Sequence, residues 1–112
     1  MIKERKRLYE GMYIINSNLS EEARKKALDR ITTTIEEKKG EIHKIIDMGK
    51  RRLAYEIEKK REGYYYLVYF SINSAAISQL WKEYHLNEDL IRFMTLKTDS
   101  ILKNLEFKSL IT

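Results

Sequence analysis

From Tyr64 to Ile72 the chain reads Tyr-Tyr-Tyr-Leu-Val-Tyr-Phe-Ser-Ile, a run of almost nothing but aromatic and β-branched or aliphatic side chains. Residues of this kind fit the pleated, packed surface of a sheet. The segment is therefore read as a strand, and the rest of the chain has to be arranged around it. Leu8 to Ile15 is a second β-favouring stretch, closed by the turn-forming Asn16-Ser17-Asn18. From Glu41 to Met48 the pattern has period two, with Ile42, Lys44, Ile46 and Met48 opposite His43, Ile45 and Asp47. Gly49 interrupts it, Arg52 to Lys59 alternates again, and Gly63 makes a second interruption. Leu90 to Lys97 reads as the last strand.

Two segments follow the helical period instead. Ala23, Ala27, Leu28, Ile31 and Ile35 form one apolar stripe on a charged helix. Asn18 or Ser20 is placed to cap it, and Glu21 and Glu22 sit at its positive dipole end. Gly40, after Lys38 and Lys39, is the expected stop. Asn73 or Ser74 opens a second helix carrying Ile77, Leu80, Trp81 and Tyr84, and His85 to Asp89 connect it to the last strand. The order β-α-β-β-α-β predicts a ferredoxin-like α+β fold, a four-stranded antiparallel sheet with both helices on one face. One domain over 1–97, with a short basic N-terminal extension, and a tail over 98–112 account for the 112 residues.

That architecture divides the strongest strand. Tyr66, Val68, Phe70 and Ile72 share the more uniformly apolar face and are assigned to the core beneath the helices. Tyr65, Leu67 and Tyr69 are then displayed on the open face, a patch large enough to be a docking surface; the plainer alternative is that the C-terminal tail or a longer helix covers it.

The function classes narrow by elimination. The chain has no cysteine, which removes disulfides, thiolate catalysis and cysteine zinc sites. His43 and His85 stand far apart, and neither a glycine-rich phosphate loop nor a helical metal-ligand spacing is present. An acyl-phosphate hydrolase on this fold would want a glycine-rich anion loop after the first strand, and residues 16–20 contain no glycine. No enzyme activity and no cofactor are expected. No apolar run reaches the roughly 18 residues that span a bilayer, so a cytoplasmic protein, monomeric when free, is expected.

The formal charge of +5 suits a polyanionic partner where the bases cluster. They do so between residues 50 and 61, where Lys50, Arg51, Arg52, Lys59, Lys60 and Arg61 flank a short strand that also carries Tyr55. Cations along a path bind phosphates, and an adjacent aromatic ring stacks on a base or ribose. A lysine-rich edge that merely blocks strand pairing is the plainer alternative. Two adjacent arginines beside an aromatic favour bidentate phosphate recognition. A free-standing RNA-recognition module is the second reading, since Gly63-Tyr64-Tyr65-Tyr66-Leu67-Val68-Tyr69 partly resembles its aromatic strand motif. Glu62, however, stands where that motif has a base, and Tyr64 and Tyr66 fall on the parity assigned to the core.

Several of these stretches together resemble the bacterial small-subunit ribosomal protein S-six family. They are Tyr9-Glu10, Asn16-Ser17-Asn18-Leu19-Ser20-Glu21-Glu22, the signature Gly49-Lys50-Arg51-Arg52-Leu53-Ala54-Tyr55-Glu56-Ile57, Gly63-Tyr64-Tyr65 and Leu90-Ile91-Arg92-Phe93. The likeness runs from about Leu8 to Lys97; seven residues precede it, and Glu58 stands where a basic or small residue is common. The resemblance implies a structural, non-catalytic component of the small ribosomal subunit, binding the central domain of its rRNA together with ribosomal protein S-eighteen. It implies Arg51, Arg52 and Arg92 toward RNA and Tyr65, Leu67 and Tyr69 toward the protein partner. The tail, where Ile101, Leu102 and Leu105 have crude helical spacing, is too short to hold a helix alone and is expected to order on assembly or stay frayed.

Overall fold

The computed structural model describes residues 6–57 and 60–101, giving backbone alone for Ala54, Glu56 and Ile57. Most of the basic N-terminal extension, Lys59, and residues 102–112 of the tail lie outside the described residues. The elements are β1 (Lys6–Asn16), α1 (Glu21–Glu37), β2 (Glu41–Ile57), β3 (Lys60–Asn73), α2 (Ile77–His85) and β4 (Leu90–Lys97), with a 3-10 turn over Ser74–Ala76 leading into α2. The sheet runs β2-β3-β1-β4 with every neighbouring pair antiparallel, and the expected ferredoxin-like arrangement is what the chain adopts.

Ser20 is the cap of α1, its Oγ accepting the Ala23 N–H at 3.1 Å, while Ala27, Ile31 and Ile35 are buried. The helix ends differently from the expected glycine stop: Lys39, not Gly40, takes the left-handed conformation, at φ 65°. Gly40 is needed for a close approach instead. Its N–H donates to Ile35 O at 2.9 Å, and a Cβ there would lie 2.6 Å from Ile35 Cγ2 and 3.2 Å from Ser71 O.

Gly49 and Gly63 do not divide strands. At Gly49 the φ is +79°, its N–H donates to Asp47 Oδ1 at 2.8 Å, and the register with β3 slips between Asp47 and Gly49. This is a bulge, which bends and twists a strand without ending it. β2 therefore continues to Ile57, and β3 begins at Lys60, ahead of Gly63.

Tyr66, Val68, Phe70 and Ile72 pack beneath the helices with Tyr13, Ile15, Ile31, Ile35, Leu80 and Tyr84, as expected for the core face. The opposite face corrects the sequence reading. Tyr65, Leu67 and Tyr69 are 2%, 1% and 0% exposed, and with Met12, Ile14, Met48 and Leu53 they form a second core. Ile101, beyond the end of β4, packs against it. Trp81 is corrected in the other direction: expected in the helix stripe, it is 42% exposed.

Candidate nucleic-acid interface

Strand alternation splits the cationic run. Arg51 pairs with Gly63, on the parity of Tyr65 and the second core, whereas Lys50 and Arg52 pair with Tyr64 and Glu62, on the helix-side parity. Three consecutive bases therefore point to two sides of a ribbon.

On the side away from the helices, Arg51 Nε donates to Met48 O at 3.0 Å, an anchor supplied by the residue that the Gly49 bulge displaces. That bond holds the guanidinium by one nitrogen, and among the described residues its terminal nitrogens make no hydrogen bond or ion pair that would compete with a ligand. Arg92 of β4, paired with Ile14, lies on the same side. Its guanidinium stands 5.2 Å from the centre of the Tyr55 ring and donates to the Tyr55 hydroxyl. Tyr55 itself is 59% exposed. β2 and β4 are the two outermost strands, about 14 Å apart at the usual strand spacing. The two long side chains thus meet across the sheet despite belonging to opposite edges. Burial pushes the Tyr65 hydroxyl pKa up, while Arg51 and Arg92 draw it down, so both cations act on the same spot.

The helix side is differently built. Lys50 Nζ pairs with Glu62 at 3.2 Å, and Arg52 is exposed with no ion pair among the described residues. Arg24 of α1 lies 3.9 Å over the Tyr64 ring. Thus Arg51, Tyr55 and Arg92 are brought together, Lys50 and Arg52 stand on the other side, and Lys59 is outside the described residues. Arg24 and Glu62 were missed by the sequence reading. Glu62 was legible as a neutralising partner, because a hairpin that pairs Ile57 with Lys60 sets it across from Arg52 and near Lys50.

The model of the ribosomal protein S6 family matches residues 8–97. The chain belongs to the ribosomal protein S6 family. It is 64% identical over 103 residues to small ribosomal subunit protein bS6 of Protochlamydia amoebophila, covering 92% of this chain and 90% of that one. To bS6 of Chlamydia pneumoniae it is 58% identical over 110 residues, covering 98% of each. The crystal structure of 30S ribosomal protein S6 from Thermotoga maritima superposes with a TM-score of 0.79 at 37% identity, over 94% of this chain and 95% of that one. An S6-family chain is a structural component of the small ribosomal subunit, a cytoplasmic ribonucleoprotein of translation.

Proposed function

We propose that this S6-family chain binds the central domain of the small-subunit rRNA jointly with ribosomal protein S-eighteen, with Arg51, Tyr55 and Arg92 meeting the RNA most directly. The observation that carries this reading is that Arg51 and Arg92 both act on the Tyr65 hydroxyl while Arg92 also lies against the exposed Tyr55 ring. Guanidiniums grip phosphates bidentately, and an aromatic face accepts an unstacked base. Lys50 and Arg52 bind more weakly from the other side of the ribbon, since Lys50 is already half-neutralised by Glu62. Lys59 is proposed to extend that path.

Tyr65, Leu67 and Tyr69 are too buried to meet a partner directly, so the protein interface belongs elsewhere on the surface. The same burial weighs against a free-standing RNA-recognition module, which would read bases on an open sheet face. Its motif aromatics fare no better: Tyr66 is in the core and Tyr64 lies under Arg24.

Affinity for central-domain rRNA, titrated against salt with and without the eighteenth protein, tests the reading. Arg51→Ala and Arg92→Ala are each expected to weaken binding and to flatten the salt slope by about one unit for every phosphate that goes unneutralised. An unchanged slope in both variants refutes the assignment. Equal affinity for arbitrary single-stranded RNA without the second protein would favour the alternative module.

A further inference from the structure

β4 is an outer strand of the sheet, and its outward edge is open among the described residues. The Thr98 N–H donates to Leu8 O at 3.0 Å, so by the two-residue period of an antiparallel ladder the outward-facing backbone groups belong to Phe93, Thr95 and Lys97. Proteins ordinarily guard such an edge with lysines, inward charges, proline or a cover. Here Arg92 and Lys97 flank a stretch, Phe93 to Leu96, that carries no charge. Met94 and Leu96, on one side of the edge, are 45% and 44% exposed, and Trp81 stands on the other side with its Nε1 donating to Thr95 Oγ1 at 3.2 Å. Trp81, Tyr84, His85 and Phe93 line a groove of about 550 Å³ that runs along the strand.

We infer that the outward edge of β4 accepts an extended segment of a partner protein as a fifth strand. This rests on the reading that the chain works jointly with a second protein. Backbone bonds at Phe93, Thr95 and Lys97 would supply the register, and the segment's alternate side chains would meet Trp81 on one side and Met94 and Leu96 on the other. Aromatic anchors beside a shallow groove are the usual centres of binding energy. A second copy of this chain fits poorly. Pairing β4 with itself about Thr95 would bring two α2 helices and two Trp81 indoles to the same place, whereas a bare strand brings no helix. β4 carries no carboxylate, and its charges are Arg92 and Lys97. The segment that fits has no lysine or arginine along its paired stretch and tolerates acids at its ends.

The test uses the full chain with ribosomal protein S-eighteen as the probe. Amide exchange at Phe93, Thr95 and Lys97 is expected to slow at least about tenfold when the probe is added. Thr95→Pro removes one outward N–H where the inward ladder does not need it, and is expected to weaken the complex about tenfold or more. Thr95→Val keeps that N–H and is expected to stay within about threefold. A wild-type complex that forms with no added protection at these amides overturns the docking site while leaving joint action standing. Should Thr95→Pro fail to fold, the wild-type exchange pattern decides alone. Protection that grows with the chain's own concentration, without the probe, assigns the edge to self-association and overturns the inference. Absence of any complex with the wild-type chain refutes joint action itself, and the inference falls with it.

Discussion

In the helix-side core the hydroxyls of Tyr13 and Tyr84 lie 2.9 Å apart, both residues are buried, and their rings meet edge to face at 5.3 Å. Each hydroxyl satisfies the other in a place water does not reach. Tyr13→Phe leaves the Tyr84 hydroxyl without that partner and is expected to cost about 1–3 kcal/mol in urea unfolding. The double Phe variant is expected to cost less than the two single changes added together, because it removes both polar groups. Burial pushes both hydroxyl pKa values well above the ordinary tyrosine value. In the unfolded chain these groups ionise near about pH 10. Their contribution to stability is intact below that pH and is lost as pH rises toward the folded values. Unfolding free energy measured from about pH 8 to about pH 11 should therefore fall in the wild type, and fall less in the double Phe variant. The individual residues of the RNA cluster were legible only in part. Lys50, Arg51 and Arg52 are visible as a basic run, but which side each takes depends on the Gly49 bulge. Arg92 drew notice only through a family likeness, since its approach to Tyr55 joins the two outermost strands of the sheet, which no local pattern reveals.

Among the elements, β2 is the one whose shape the sequence concealed. Gly49 read as an interruption between two period-two stretches, because a glycine in a strand is a common punctuation mark. The structure spends that glycine on a left-handed bulge. No heavy atom lies within 4 Å of where a Cβ would stand, so Gly49→Ala tests backbone conformation free of crowding. A cost of about 1–2 kcal/mol is expected. Because Met48 O holds Arg51, the same variant should also weaken RNA binding; reduced stability with unchanged affinity would show that the bulge does not position Arg51. The helices were easier to read. A capped, amphipathic 17-residue stretch has few other ways to bury its stripe, and Ser20→Ala is expected to cost about 1 kcal/mol in thermal or urea unfolding.

At the scale of the whole molecule, the β-α-β-β-α-β order was legible, and with it the core under the helices. The second core was not, although its signal stood in plain sight. A strand covered on one face alternates; a strand covered on both reads as one unbroken apolar run, and Tyr64 to Phe70 is unbroken. Assigning half of it to solvent followed from the helices lying on one face. What closes the other face comes from Met48 and Leu53, on either side of a bulge, and from Ile101, past the last strand.

Two cores back to back leave β3 no face on which to vary. In a one-sided sheet, replacing residues one by one gives a rhythm of harm and indifference that repeats every second position. Saturation mutagenesis scored by abundance in cells should give no such rhythm from Tyr65 to Phe70, where every position is below 5% exposed. Along Arg92 to Leu96, where exposed and half-buried residues take turns, the rhythm should return. Drift among descendants of this chain is thereby steered to the rim of its sheet and away from the middle.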